Sequence, residues 1–344
     1  MYDAAIYIGR FEPVHQGHMA LLRQALASAR QAIVIAGSAW QARTPKNPLT
    51  WAERADMLRA ALPGADRGRL QVLPVRDYYD EAVWARAVRQ AVARHVPAGA
   101  RIGLVGHFKD ASSSYLDAFP GWELIRMERQ GSIDATAIRD AFFAATPATV
   151  RAALAPLADE IPASTIAALK RFAHTPHYGA LQQEWRMLRA YRAAWAAAPY
   201  PPVFVTVDAM LRCQGHVLLI RRAHAPGKGL WALPGGFLEP RDTLWQSCLR
   251  ELAEETHCAL PEAALRAALR QVHVFDHPDR SQRGRTITHA HYFDLGDAPL
   301  PAVQAGDDAA LAQWTPISAL VEMEEALFED HFHILDHFLG LLGT

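Results

Sequence analysis

The chain has 344 residues, enough for two domains of ordinary size, and its 51% hydrophobic and 21% charged residues are typical of a globular protein. Its 35 basic and 36 acidic residues leave a net charge of -1, which disfavours bulk nucleic acid and acidic membranes as partners. Its 3 cysteines have no CxxC spacing, which excludes a disulfide scaffold and a zinc ribbon and indicates a reducing compartment.

The chain shows no sign of a secretory or membrane segment. Its N-terminus lacks a basic region followed by a long apolar run, and no stretch approaches the roughly 18 apolar residues of a membrane helix. We therefore expect a cytoplasmic protein that binds neither nucleic acid nor a membrane.

The first half alternates short apolar runs with amphipathic segments. Continuous apolar strands separated by helices predict a parallel sheet with helices on both faces. The candidate strands are 4–9, 31–37, 69–75, 101–106 and 122–127, and the clearest helices are 18–30 and 51–62. Residues 146–173 also have a helical pattern, with breaks near Pro156 and Pro162.

A proline-rich segment, 199–202, indicates the domain boundary, because it cannot continue the helix predicted from about Leu181 to Ala198. Beyond it the pattern favours a mixed sheet. Strands are predicted at 203–211, 216–222, 271–276 and 287–295, with helices at about 243–257 and 322–341. The predicted organisation is therefore an α/β domain over 1–178, a helical and proline-rich linker over 179–202, and a second α/β domain over 203–344.

The first candidate site follows strand 4–9 and leads into a helix near His18. It has the sequence Gly9-Arg10-Phe11-Glu12-Pro13-Val14-His15-Gln16-Gly17-His18. The carboxyl end of a strand that leads into a helix N-terminus is where open α/β sheets bind phosphates. Glycines allow close backbone approach, and Arg10 and the two imidazoles can donate hydrogen bonds to phosphate oxygens.

This string resembles the GRFxPxHxGH signature of nucleotidyltransferases, which transfer a nucleotidyl group from a nucleoside triphosphate and have a Rossmann-like fold. The resemblance extends to a second phosphate clamp, the family's ISxTxxR motif, for which the chain has Ser132-Ile133-Asp134-Ala135-Thr136-Ala137-Ile138-Arg139. There Thr136 is predicted to cap a helix and Arg139 to reach the departing pyrophosphate. Asp134, where serine is usual, is given no phosphate-binding role.

Three further segments resemble archaeal-type nicotinamide-mononucleotide (NMN) adenylyltransferases, which make NAD from ATP and NMN. They contain Lys46 with Arg54, Asp77-Tyr78 with Trp84, and Gly106 with Lys109 and Asp110. The resemblance implies that Trp84 stacks on the nicotinamide ring and that the cations surround the two nucleotides. Other nucleotidyltransferases share the HxGH element, so a different phosphorylated acceptor stays open.

The second candidate site joins the loop Pro234-Gly235-Gly236 to the helical run Arg250-Glu251-Leu252-Ala253-Glu254-Glu255. On a helix, Glu251 and Glu255 share one face at i, i+4. Carboxylates held so close repel one another unless a hard divalent cation such as Mg²⁺ or Mn²⁺ neutralises them.

This spacing resembles the Nudix box, GX5EX7REUXEEXGU, of pyrophosphohydrolases. Asp242 stands where glutamate is usual, and His257, in place of glycine, is expected to adopt a left-handed C-cap. The resemblance implies that Glu251, Glu254 and Glu255 hold the metals, with Glu251 and Glu255 catalytic and Gly235 and Gly236 next to the substrate. Neighbouring segments are similar to the branch that splits ADP-ribose into AMP and ribose 5-phosphate.

Taken whole, the chain resembles the bifunctional NMN adenylyltransferase/Nudix hydrolase proteins. The implied partners are ATP, NMN, NAD and ADP-ribose, with Mg²⁺ or Mn²⁺ as cofactor, and a homo-oligomer is left open. The alternative is that the C-terminal domain senses ADP-ribose or NAD without turnover, which the departures at Asp242 and His257 keep open.

Overall fold

The structure, a computed structural model, describes residues 1–106, 118–127, 134–306 and 308–343. The chain divides into two compact units, Met1–Gln183 and Glu184–Thr344, so the division falls inside the segment predicted as a linker. Among the described residues, no helix is both long and apolar enough to cross a membrane.

The first unit is built on a parallel sheet of five strands in the order β3-β2-β1-β4-β5, as the apolar runs predict. The strands are β1 Tyr2–Gly9, β2 Ala29–Ala36, β3 Leu70–Pro74, β4 Ile102–Gly106 and β5 Glu123–Arg126. Consecutive residues are buried in β1 and β2, because both faces of the sheet are covered.

Helices fill the connections of the first unit. They are α1 Gln16–Ser28, α2 Trp51–Ala60, the short α3 Gly64–Arg67, α4 Glu81–Ala93, α5 Ala135–Ala144, α6 Val150–Leu154 and α7 Ala163–Phe172. A 3-10 turn, Ala155–Leu157, follows α6, so the predicted break near Pro156 is confirmed. Helix α4 was not predicted; Asp80 caps it by accepting a hydrogen bond from the Val83 N–H, and its apolar face packs on the sheet.

Helix α8, Pro176–Ala194, begins and ends earlier than predicted and runs through the division between the units. Its end comes five residues before Pro199, so the proline-rich segment follows a short turn rather than the helix itself.

The second unit has a mixed sheet in the order β10-β11-β6-β7-β12, with β8 paired to β7 and β9 paired to β6. Its strands are β6 Val203–Cys213, β7 His216–Arg222, β8 Trp231–Ala232, β9 Gly235–Phe237, β10 Leu269–Phe275, β11 Arg285–Asp294 and β12 Ala309–Pro316. Strand β11 runs parallel to β6, and the other pairs are antiparallel, which confirms the mixed sheet. Strand β12 was not predicted.

Helices cover both faces of this sheet. Helix α9, Leu244–Thr256, buries Cys248 and Leu252 on one face, and α11, His331–Leu339, buries Phe332 and Leu335 on the other. A third helix, α10 Glu262–Ala268, was not predicted.

The helix predicted over 322–341 is wrong in its first part. A 3-10 helix, Ile317–Ala326, comes first, and α11 begins only at His331. Between them Glu329 has a φ of 43°, and the Asp330 carboxylate forms two hydrogen bonds of 2.8 Å with the buried Arg280 guanidinium. The left-handed residue and the buried ion pair interrupt the helix.

Candidate functional sites

The first site lies where the strand order of the parallel sheet reverses. The chain runs from β1 to β2 and β3 on one side and then returns to add β4 on the other side of β1. At such a switch point the loops after neighbouring strands separate and leave a crevice at their carboxyl ends. Gly9, the last residue of β1, and Gly106, the last residue of β4, lie at this edge, so the structure brings both predicted glycines to the edge at which such a crevice is expected.

The turn after β1 is shaped by packing around Phe11. This residue has a φ of 59° and is buried, and its ring contacts the rings of Tyr7 and His18 edge-on at centroid distances of 5.2 and 4.9 Å. A Cβ atom on Gly9 would lie 2.8 Å from the Phe11 ring, so this position needs glycine. The Phe11 side chain, predicted to bind substrate, is instead buried beneath Gly9 and stabilises the turn by packing.

His15 and His18 stand together at the N-terminus of α1, where the helix dipole favours an anion. Their rings stack with centroids 3.6 Å apart, and the backbone N–H of His15 donates to Nδ1 of His18 over 3.3 Å. Burial and, second, the neighbouring His15 hold the pKa of His18 well below 6.5. His18 is therefore neutral at pH 7, and since Nδ1 accepts, its Nε2 carries the proton it can donate. Gly17, between them, is the second residue of α1.

Three arginines surround this turn, but they differ in what their side chains do. Arg10 is exposed, and Arg139 is close enough to it for the two charges to repel. Arg139 donates to the Glu12 carbonyl oxygen over 2.6 Å and to the Thr136 hydroxyl over 3.1 Å, which fixes its guanidinium beside the turn.

Arg54, predicted to lie beside the nucleotides, is only 1% exposed. It donates to the carbonyl oxygens of Arg10 and Gly37 over 2.6 and 2.7 Å, and its Nε lies 3.2 Å from the Glu12 carboxylate. The Arg54 guanidinium therefore binds backbone carbonyl oxygens and Glu12, and it stabilises the conformation of the turn after β1. The pair Glu12–Arg54 was not predicted; the signal was a carboxylate inside a turn whose other polar side chains include Arg10 and two histidines.

The start of α5 corrects the predicted clamp. The helix is capped by Asp134, whose carboxylate accepts hydrogen bonds from the backbone N–H groups of Thr136 and Ala137 over 2.7 and 3.1 Å. Thr136 is therefore not the cap; its hydroxyl instead accepts from Arg139. An ionised carboxylate is a good cap at a helix N-terminus, which explains aspartate at this position.

Of the four remaining predicted residues of this site, the structure describes two. Trp84, on α4, is half-buried, with its ring 5.8 Å from that of Phe119. Lys46 is half-buried in the connection before α2. Lys109 and Asp110 lie outside the described residues.

The second site is built by β9 and α9. Thr243 and Gln246 form a capping box at the start of α9, and the buried Cys248–Leu252 face fixes its rotation. The backbone N–H of Gly235 donates to the Glu255 carboxylate over 2.9 Å. A Cβ atom on Gly236 would lie 2.4 Å from Glu251 Oε1, so the predicted glycines and carboxylates do meet.

Arg250 is the centre of the ionic contacts on α9. Its guanidinium lies 2.8 Å from the Glu254 carboxylate, 3.0 Å from that of Glu251 and 3.4 Å from that of Asp242. Asp242 also accepts from the Ser247 hydroxyl over 3.0 Å, so the shorter side chain at this position still joins the network.

Glu255 differs from the other two glutamates because it is buried, at 4% exposure. Burial raises the pKa of its carboxyl to about 8, the Gly235 N–H opposes that rise, and the nearby charge of Glu251 adds to it. The carboxyl is therefore largely protonated at neutral pH and ionises readily if a positive charge arrives.

Glu251, Glu254 and Glu255 fit a hard divalent cation, because all three offer carboxylate oxygens. A cation would also offset the burial and the Glu251 charge that raise the pKa of Glu255. As the side chains stand, no three His, Cys, Asp or Glu residues of the described chain form a ready metal site. Two of the three glutamates contact Arg250 instead, so a cation would take the place of the guanidinium.

His257 ends α9 in the left-handed conformation, with φ 47° and ψ 28°, and this confirms the predicted C-cap. The departure from glycine therefore leaves the end of the helix intact.

The comparisons with known proteins agree with this two-site geometry. A cytidylyltransferase-like family model matches residues 6–141, and a NUDIX domain model matches residues 201–338. The chain is 33% identical over 186 residues to the nicotinamide/nicotinic acid mononucleotide adenylyltransferase of Acinetobacter baylyi, covering 54% of this chain and 94% of that one. It is 32% identical over 130 residues to the ADP-ribose pyrophosphatase of Methanocaldococcus jannaschii, covering 37% of this chain and 72% of that one.

One solved structure matches both units together. It is a bifunctional NMN adenylyltransferase/ADP ribose pyrophosphatase from Francisella tularensis, with a TM-score of 0.91, 35% identity and coverage of 99% of each chain. The same Francisella enzyme complexed with AMP and a manganese ion matches at 34% identity. This chain belongs to the family of bifunctional NMN adenylyltransferase/Nudix hydrolase proteins.

Proposed function

We propose that the chain is a bifunctional enzyme of NAD metabolism. Its N-terminal unit transfers the adenylyl group of ATP to NMN, giving NAD and pyrophosphate. Its C-terminal unit hydrolyses ADP-ribose to AMP and ribose 5-phosphate. The observation that carries the proposal is that one chain holds a cationic, histidine-lined crevice at a sheet switch point and a carboxylate cluster against Gly235 and Gly236.

In the first reaction, a 5′-phosphate oxygen of NMN attacks the α-phosphorus of ATP. The bond to the β-phosphate oxygen breaks, and pyrophosphate leaves. His18 donates its Nε2 proton in a hydrogen bond, while Arg10 and Arg139 stabilise negative charge on the departing group. No covalent intermediate is needed, so catalysis depends on positioning and electrostatics.

In the second reaction, water attacks a phosphorus of ADP-ribose and a P–O bond of the diphosphate breaks. A divalent cation held by Glu251, Glu254 and Glu255 would supply Lewis acidity. Mg²⁺ is proposed for this role, and Mn²⁺ is supported by the ion bound to the Francisella enzyme. Once a cation has displaced its proton, the ionised Glu255 carboxylate would lie beside the attacking water together with Glu251, and these are the two residues proposed as catalytic.

The two glycines of β9 give a matched test of the hydrolytic site. Gly236→Ala should lower Mg²⁺-dependent AMP release from ADP-ribose about a hundredfold, since its Cβ atom displaces the movable Glu251 carboxylate. The melting temperature should be retained. Gly235→Ala should instead destabilise the protein by about 1–3 kcal/mol, because its Cβ atom would lie 2.3 Å from the Val207 carbonyl oxygen, which cannot move alone.

AMP release by the wild type separates hydrolysis from the sensor alternative, since a sensor would bind ADP-ribose and release nothing. A Gly236→Ala variant with full activity would contradict the role of Glu251.

Trp84 tests the acceptor. Trp84→Ala should raise the KM for NMN about 3- to 30-fold while changing that for ATP much less, because a ring stacked on the pyridinium is lost. Trp84→Phe should restore most of the affinity. Equal changes in both KM values would count against stacking and favour a different phosphorylated acceptor. The homo-oligomer and the cytoplasmic location remain predictions.

A further inference from the structure

The end strand of the second sheet, β10, carries an exposed apolar surface. It comes first in the order β10-β11-β6-β7-β12, so only one of its backbone edges pairs with a strand of the described chain, namely β11. Val272 and Val274 are 44% and 43% exposed. They lie two residues apart and therefore share one face of the sheet. Apolar side chains on an open strand edge are typical of a surface that pairs with another strand.

The opposite face of β10 is already covered by α11. The His273 ring packs on that of His337 with centroids 4.0 Å apart. Phe275 is buried, and its ring contacts those of His337 and Phe338 edge-on at 5.4 and 6.2 Å. The open surface of β10 therefore consists of the valine face and the outer backbone edge.

Residues of opposite charge flank the two valines. Arg270 precedes them and Asp276 follows them, and both residues are exposed. Between these charges the pairing of β10 with β11 is regular from Gln271 to Phe275, so this part of the strand keeps its extended geometry. Along one exposed strand the order is therefore positive, apolar, negative.

This order makes the strand complementary to a second copy of itself. When two copies are placed antiparallel with His273 opposite His273, Arg270 of each copy lies opposite Asp276 of the other. The same register places Val272 opposite Val274. Each contact then occurs twice, as twofold symmetry requires. A parallel pairing in register would instead oppose like charges, which is destabilising.

The other edge strands of the described chain do not combine these features. Strands β3 and β12 end at Pro74 and Pro316, and proline cannot donate a hydrogen bond to a neighbouring strand. Strand β5 also has opposite charges at its two ends, but it has only 4 residues, and Arg101 already binds the Glu123 carboxylate over 2.6 and 2.7 Å.

We propose that β10 is a dimerisation edge, through which two copies of the chain pair in antiparallel register with the twofold axis at His273. The valines of both copies then form one apolar patch, and an Arg270–Asp276 ion pair lies at each end of it. Since a single pair of strand edges is a small interface, the dissociation constant is on the order of 10–100 µM. The inference concerns assembly and does not depend on the two proposed reactions.

Sedimentation velocity of the full chain, from ~1 to ~200 µM, tests this proposal. The wild type should pass from a monomer to a species of twice the mass and no further, because a twofold contact closes on itself. Asp276→Arg places two arginines opposite each other at both ends and should raise the dissociation constant at least about tenfold. Adding Arg270→Asp to that variant restores opposite charges and should restore the dimer. Glu322→Arg, the matched control at an exposed position of the same unit, should dimerise like the wild type.

A wild type that stays monomeric over this range would overturn the proposal. A dimer that persists unchanged in Asp276→Arg, or is not recovered when Arg270→Asp is added, would overturn it as well, since association would then use another surface. An assembly that grows beyond two copies would contradict the twofold contact. Val274→Lys gives a second test of the same edge and should also weaken the dimer at least about tenfold. Because these positions are exposed, each variant should keep the melting temperature of the wild type.

Discussion

Glu255→Gln is expected to lower the rate of ADP-ribose hydrolysis at least about a hundredfold, while NAD synthesis by the same chain stays unchanged. Glutamine keeps the size of the side chain and can still accept the Gly235 hydrogen bond, but it carries no negative charge to hold a cation. The measurement is AMP release from ADP-ribose with Mg²⁺, with NAD formation as the internal standard. Glu322→Gln, an exposed position of the same unit, is the matched control.

The pH dependence of the metal affinity follows from the same carboxyl. With a pKa of about 8, a cation that binds Glu255 must displace a proton at neutral pH. The apparent dissociation constant for Mg²⁺ should therefore fall about tenfold per pH unit up to pH ~8 and then level off. In Glu255→Gln this slope should disappear. A slope unchanged in the variant would assign the proton to another group.

The raised pKa also fixes how the metal-free protein responds to pH. Because the folded state holds this proton more tightly than the usual carboxyl pKa of 4.5 implies, its stabilising contribution is complete below pH 4.5 and is lost as pH rises through about 8. Glu255→Gln should therefore lose less stability than the wild type between pH 6 and pH 9 in ~1 mM chelator. The melting temperature across that range measures the effect.

His18→Ala is expected to lower NAD synthesis about 10²- to 10³-fold, with ADP-ribose hydrolysis unchanged. The variant loses a neutral donor at the N-terminus of α1, where charge develops on the phosphates. His18→Gln should recover part of the activity because its amide also donates. His177→Ala, an exposed histidine of the same unit, should behave like the wild type.

The neutral state of His18 gives this prediction a pH signature. Since burial holds its pKa well below 6.5, the rate of NAD synthesis should show no ionisation of His18 between pH ~6 and ~8. An ionisation in that range that disappears in His18→Gln would contradict a neutral donor and indicate a charged imidazole.

Local patterns predicted most of the sheet that positions the first site. Apolar runs predicted all five strands of the parallel sheet to within two residues, and the clearest runs are those of β1 and β2, which are buried on both faces. The turn from Gly9 to His18 was predicted as a strand-to-helix connection, and it is one. Helix α4 was not predicted because its apolar residues are spaced among alanines and arginines. Strand β12 was not predicted because its buried residues, Ala309, Ala312 and Thr315, recur every third position instead of alternating.

The roles of individual side chains depended on contacts distant in sequence, which patterns do not show. The Arg54 guanidinium is buried because it binds the Glu12 carboxylate and the Arg10 carbonyl oxygen, which precede it by 42 and 44 residues in the sequence. Likewise the final helix is interrupted by Asp330, whose partner Arg280 lies 50 residues away. By contrast, the contact between Arg250 and Glu254 lies within one helix, where residues four apart are neighbours.

The most direct test of a bifunctional enzyme is a product analysis of the wild-type chain by chromatography. One sample contains Mg²⁺, ATP and NMN, and a second contains Mg²⁺ and ADP-ribose. The account predicts NAD and pyrophosphate in the first sample, and AMP and ribose 5-phosphate in the second. A folded protein that forms no NAD in the first sample, or releases no AMP in the second, would contradict it for the corresponding unit.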